Sequence, residues 1–352
     1  MRYMQVYLDN LESAPAPDEV LEVLADNYKN HYGQAGTYHQ FGQWSKSALE
    51  CFAESAAESL GQKGRPCTFA IGPKLPPVED GTVLLSPLEH PTIERAAQKL
   101  GGEIAEIPLA DWRYDLDFVA EKIGGGDVRL VVVSAADRVS GTLQPIGEIV
   151  RLCREREVPV FVDITAAFGR AEIEIPAEDG VYLYLRGRAV GAPADVIVGE
   201  KLDTDFPHQL AAGTSKALEI VAKSPEQIAH IKELGEYFWE MMQLHLPNLE
   251  LMGAEPRAAG ILSIAFEDVD RYALMVAADM QGVMAWAGDD FSAPIKPLVA
   301  AKVPLEVAEA TLRFSFWRQN TREEIDYVLR VLPPLVDRVR FEKKSDKFYG
   351  KT

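Results

Sequence analysis

Residues 158–191, VPVFVDITAAFGRAEIEIPAEDGVYLYLRGRAVG, decide the fold. The stretch reads as two short apolar strands. The first, residues 158–162, ends in Asp163, and the second, residues 181–185, ends in Arg186-Gly187-Arg188. In an open parallel sheet, ligand chemistry gathers at the carboxyl ends of the strands, where one segment hands over to the next. A carboxylate at one strand end and a functional group at its neighbour make a site. Asp163 is the first candidate, with capping of the turn that follows as its purely structural alternative.

Working outward, VRLVVVSAA (128–136) is a near-continuous apolar run of the kind buried on both faces. A helix over 145–156 links it to the strand that ends in Asp163. Upstream, 67–71 and 82–86 are short strands, 90–102 is a helix stopped by paired glycines, GEIAEIPL is a strand, and a helix runs from Asp115 to the glycines at 124–126. Strands alternating with helices mean βαβ units and a mainly parallel sheet. Two helices precede them. Residues 18–30 carry Val20, Leu21, Leu24 and Tyr28 at helical spacing, and 43–60 carry Leu49, Phe52, Ala56 and Leu60, with Gly61 as the stop.

The texture changes near residue 217. Long helix, then strand, helix, two strands and helix describe a smaller α+β unit, whose last helix opens with Thr321 and Glu324 in capping-box spacing. The expected organisation is an N-terminal segment (1–15) packed on the small domain, a large α/β domain (16–216), a small α+β domain (217–340) and a frayed basic tail (341–352).

The net charge of −18 is spread along the chain, so the surface repels phosphate backbones and argues against nucleic-acid binding. Three scattered cysteines (Cys51, Cys67, Cys153) form no C-x-x-C pair, which suits a reducing cytoplasm rather than a disulfide framework or zinc site. No signal-peptide core and no run of about 18 apolar residues is present, so membrane insertion is not expected. The six histidines show no metal-ligand spacing, and phosphate-loop, dinucleotide, zincin and nucleophile-elbow motifs are missing.

The order of segments resembles one family. YLDN (7–10) is similar to the YLDNNATTP opening of cysteine desulfurases, in the class V aminotransferase group of pyridoxal-phosphate enzymes. HYGQAGTYHQFG (31–42), with His39 and Gly42, resembles the family's GNPSSxHxxG loop. LSPLEHPTI, with Glu89 and His90, resembles TSKTEHKAV. Residues 141–170 and 311–331 are similar to longer family blocks, in the same order along almost the whole chain. The resemblance implies a fold-type I transferase: a large domain with a mainly parallel seven-stranded sheet between helices, plus the smaller C-terminal domain.

For the site, the resemblance implies that Asp163 holds the pyridine nitrogen, that His90 stacks on the ring and that Arg313 receives the substrate carboxylate. It also exposes departures. The Schiff-base lysine position is held by Arg186 or Gly187, or by Arg188 if a gap is placed differently, and a guanidinium stays protonated where an amine must attack. Lys201 lies beyond another strand and reads as a surface lysine. The phosphate-binding turn becomes GPKLPP (72–77), whose prolines remove N–H donors, leaving Lys74 as a weak point charge for an anion. Ala166 replaces a ring-contacting glutamine, Asp137-Arg138-Val139 replaces an amide-bearing turn, and 287–292 lacks the family's cysteine.

These departures lead to the expectation of a pseudoenzyme. It would bind no pyridoxal phosphate, have no confident catalytic residue and hold no metal. It would be a homodimer and a binding or scaffold partner for sulfur-transfer or iron–sulfur assembly proteins. The alternative is an active transferase with an atypical site, or an enzyme using Asp163, His90 and Arg313 on a small anionic substrate. Whether Arg186, Arg188 or Phe168 fills the pocket is left for the structure.

Overall fold

The computed structural model describes residues 4–78, 80–290 and 292–349, with the backbone alone over 343–349. Its centre is a seven-stranded sheet in the order Cys67–Ala70, Asp195–Val198, Val181–Leu185, Val160–Asp163, Val128–Ser134, Thr82–Leu85, Glu103–Glu106. Asp195–Val198 runs antiparallel to both of its neighbours, and the other pairings are parallel. The near-continuous apolar run is the centre of this sheet because helices cover both of its faces. Ser134, Asp163 and Tyr184 stand in register across three adjacent strands. Those strands therefore end at one level, and the segments leaving them meet there.

The small domain is an antiparallel sheet, Leu249–Leu251, Ile261–Phe266 and Thr311–Ser315, covered by the helices Glu226–His245, Arg271–Asp279 and Arg322–Tyr349. Its core is distinct from that of the large domain, with Phe238, Phe266, Phe314 and Phe316 clustered at its centre. The capping box forms: Thr321 N–H donates to Glu324 at 3.0 Å and Glu324 N–H to Thr321 Oγ1 at 3.2 Å.

The N-terminal segment joins the two units. Val6–Tyr7 pairs in parallel with Val283–Met284, and Asp9 bridges to Ser315, both in the small domain. The chain then crosses over, with Ala14 N–H donating to the Arg188 carbonyl at 2.8 Å. This crossing places Glu12 in the seam.

Two local expectations are corrected. Leu21 and Tyr28 are 50% and 57% exposed, because the helix Asp18–Asn30 buries only the narrow face carrying Val20 and Asn27. Residues 341–349 are not frayed but continue the last helix, which is anchored by buried Val336 and Val339; residues 350–352 lie outside the described residues. No helix among the described residues is long and apolar enough to cross a membrane.

Candidate functional site

The site lies where the Thr82–Leu85, Val128–Ser134, Val160–Asp163 and Val181–Leu185 strands end. Asp163 is buried, and its Oδ1 accepts the Thr165 N–H at 2.8 Å. Thr165 Oγ1 in turn accepts the Arg186 N–H at 2.9 Å, tying one strand end to the next. Asp163 thus caps a turn and feels the charges of Arg186 and His90.

Glu89 faces Asp163 from the segment after Thr82–Leu85. Its Oε1 accepts the Ser134 hydroxyl at 2.8 Å, and its Oε2 is buried without a partner. Burial, reinforced by the charge of Asp163, pushes the Glu89 pKa far up. Burial also raises Asp163, opposed by its Thr165 hydrogen bonds. Burial thus works against ionisation of both carboxyls, Glu89 the more strongly.

His90 caps the helix Pro91–Gln98, its Nδ1 accepting the Thr92 N–H at 3.2 Å. That fixes the tautomer with Nε2–H turned towards Glu12 Oε2, 3.6 Å away. Burial lowers the His90 pKa and outweighs the pull of Glu12, so the ring is neutral at neutral pH.

Glu12 is the group the sequence reading missed. Its carboxylate lies 3.1 Å from Arg186 Nη1, 3.2 Å from Arg313 Nη2 and 3.4 Å from Arg138 Nη1. Burial pushes the Glu12 pKa up, but the His90 contact and the three arginines outweigh it and hold the carboxyl well below its usual range. Arg313, fully buried, also donates to Asp9 at 2.7 Å and to the Arg138 carbonyl at 3.0 Å, and lies 4.3 Å over Trp286. Arg138 pairs with Asp289 as well. Three guanidiniums thus face three carboxylates. The only hint in the sequence was the placement of Glu12 three residues after Asp9 of the YLD opening.

The remaining candidates separate cleanly. Arg186 enters the site, where its Nη2 also donates to the Leu11 carbonyl at 3.0 Å, whereas Arg188 is exposed. Gly187 is required, since a Cβ there would lie 1.8 Å from the Ala194 carbonyl oxygen. Lys74 is an exposed loop residue paired with Asp203 at 3.6 Å, and Lys201 is exposed. In the proline-rich turn, the Gly72 N–H is already donated to Asp195 Oδ2 at 2.9 Å. Phe168 lines a cavity elsewhere and plugs nothing here.

In the 287–292 loop, Asp289 is the residue that reaches the site; Phe291 lies outside the described residues. Cys67 and Cys153 are buried, each thiol pushed up by burial to about 12, and Cys51 sits exposed on the Gln40–Ser59 helix. A cavity of about 150 Å³ adjoins the cluster, walled by Glu89, Arg138, Trp286, Asp289 and Lys296, and Lys296 is held by Glu94 at 2.6 Å and Glu106 at 3.0 Å. Ligand atoms of Glu12, His90 and Asp289 lie within 4.8 Å of one another. The arginines on the same carboxylates already supply the positive charge that a metal ion would bring.

The profile of the family "Aminotransferase class-V" matches residues 6–181 and 207–328, and the chain belongs to that family. It is 28% identical to a cysteine desulfurase of Klebsiella pneumoniae over 96% of this chain and 94% of that protein. It is 27% identical to cysteine desulfurase IscS 1 of Archaeoglobus fulgidus, over 95% of this chain and 97% of that protein. A solved NifS-like protein superposes with a TM-score of 0.84 at 19% identity, covering 95% of this chain and 100% of that one, and shares the fold.

This membership corrects the expectation that pyridoxal phosphate is absent. The family is one of pyridoxal-phosphate enzymes. The residues present fit its ring end. Asp163 would meet the pyridine nitrogen and His90 the ring face, beside the orphaned oxygen of Glu89.

Proposed function

We propose that this class-V aminotransferase chain is a binding member of the cysteine desulfurase group that does not release sulfur from cysteine. The observation that supports it is Glu12, held by Arg138, Arg186 and Arg313 in the space the resemblance assigns to a substrate carboxylate. Pyridoxal phosphate, when bound, supplies an electron sink for reactions at an amino acid's α-carbon. The chain's own residues would orient it through Asp163 and His90. They offer no amine beside Asp163, and the 287–292 loop carries Asp289 and Asp290 but no thiol to receive sulfur.

Such a chain would serve in the cytoplasm as a partner of sulfur-transfer or iron–sulfur assembly proteins, paired with a second copy of itself. The exposed aromatic residues Tyr28, Tyr32, Tyr38 and Phe41, gathered on the first two helices and the loop between them, supply an adhesive face for that pairing. The test is an assay of sulfide and alanine formation from L-cysteine with added pyridoxal phosphate, alongside an active desulfurase. No turnover is expected, whereas stoichiometric sulfide and alanine would sink the reading. Arg186→Lys, which restores an amine at that strand end, is expected to gain borohydride-reducible attachment of the cofactor.

A second reading, an active transferase with an atypical site, is favoured by the Glu89–Asp163 pair. A carboxyl whose pKa burial raises, with one orphaned buried oxygen and the Asp163 charge acting on it, is equipped to move a proton once Glu12 is displaced by an anionic substrate.

A further inference from the structure

The antiparallel sheet of the small domain has one edge that the chain leaves open. Arg313 lies on the strand Thr311–Ser315 at one side of the sheet, where Asp9 and Trp286 bridge to it. At the opposite side, Leu249–Leu251 pairs only with Ile261–Phe266 among the described residues. Met252 N–H donates to the Ser263 carbonyl at 2.9 Å, and Glu267 N–H to the Asn248 carbonyl at 3.3 Å. Hydrogen-bonded positions alternate in an antiparallel pair, so Asn248, Glu250 and Met252 turn their main chain to the neighbouring strand. The N–H and C=O groups of Leu249 and Leu251 therefore point away from the sheet. Such a row is a template for a further strand.

The two faces of this edge differ. Leu249 and Leu251 pack onto the small-domain core, so Glu250 stands on the other face, directly opposite Ala265. Glu250 and Ala265 line a cavity of about 630 Å³ together with Asn248, Glu267, Asp268 and Glu306. No basic residue lines it, and the carboxylates of Glu250, Glu267 and Glu306 are unpaired among the described residues. Arg340 approaches from the last helix, but it donates to the Glu267 and Pro247 carbonyls at 2.9 and 3.0 Å.

We propose that the Leu249–Leu251 edge takes an extended segment of a partner protein in which apolar and basic side chains alternate. In strand addition, main-chain hydrogen bonds give affinity and the alternating side chains give specificity. The partner's basic residues lie on the Glu250 face, over the acidic cavity, and its apolar residues lie on the face of Leu249 and Leu251. A second copy of this chain does not suit the edge. Antiparallel self-pairing about Glu250 sets two carboxylates directly opposite each other, and like charges there destabilise a sheet. The surface lies across the sheet from Arg313 and is independent of what the pocket does with cysteine.

The test is titration of the full chain with a capped heptapeptide of alternating valine and lysine, followed by fluorescence anisotropy and by amide hydrogen exchange. This peptide is expected to bind and to slow exchange at Leu249 and Leu251, and a valine–glutamate peptide to bind at least about tenfold more weakly. Glu250→Lys, at an exposed side chain, is expected to weaken the valine–lysine peptide by about tenfold or more. Leu251→Pro removes an outward N–H and no bond of the sheet, and is expected to weaken the peptide likewise. If Leu251→Pro fails to fold, main-chain N-methylation of the peptide tests the same bonds and is expected to abolish binding. Three results overturn the proposal: no binding at millimolar concentration, equal binding of the glutamate peptide, or binding without slowed exchange at Leu249 and Leu251. Slowing of those amides in the chain alone as its concentration rises would assign the edge to a second copy, and overturns it too.

Discussion

Arg313 and Arg170 are both shielded from water, and both lie over a tryptophan, Trp286 and Trp317 respectively. Their surroundings differ in one respect. Arg313 reaches Asp9 and Glu12, while Arg170 reaches main-chain carbonyls and keeps an unpartnered Nη2. Around Arg313 the fold provides the counter-charge itself, through a side chain delivered by the N-terminal crossing. Around Arg170 it provides two main-chain carbonyls and the face of Trp317 instead. A buried guanidinium is thus answered by carboxylates in one region and by neutral partners in the other.

The contrast can be broken by substitution, and the largest effect is expected at Glu12. Glu12→Ala leaves three buried guanidiniums short of a carboxylate and should cost about 3–5 kcal/mol in urea unfolding. An unchanged midpoint would mean that the arginines are satisfied without it.

Next comes Glu89, whose pKa is raised in the folded state chiefly by burial. Its contribution is full below the ordinary glutamate value and is lost as pH rises towards and through the raised one. Wild-type stability should therefore decline as pH rises above the ordinary glutamate value, and Glu89→Gln should remove that decline. Parallel pH profiles for the two proteins would show that Glu89 is ionised in the fold.

Arg170→Met exchanges an unpaired buried cation for an apolar side chain of similar length. Stability should stay within about 1 kcal/mol of wild type or rise. A loss as large as that of Glu12→Ala would erase the difference between the two arginines. The smallest effect belongs to the exposed Lys74–Asp203 pair, where Lys74→Ala should change stability by about 0–1 kcal/mol. A larger loss would mean that the proline-rich turn leans on this lysine.

Much of the frame was readable from local pattern. The apolar runs, the strand ends at Asp163 and Arg186, the histidine cap at His90 and the Thr321–Glu324 box depend on residues a few positions apart. Periodicity and capping chemistry report such features directly. The outward turn of Leu21 and Tyr28 was less legible, because helical spacing marks a face without saying whether another helix covers it.

The sequence by itself determined the family architecture, the absence of an amine at the end of the Val181–Leu185 strand, and the prolines in the 72–77 turn. Only the tertiary structure decided that Glu12 meets three arginines and that, among the described residues, no acid pairs with Arg170. Glu12 meets Arg186 and Arg313 across separations of 174 and 301 residues. The partner of a charged side chain is set by where the packed chain brings it. Hydrophobic pattern carries no information on which carboxylate will be there.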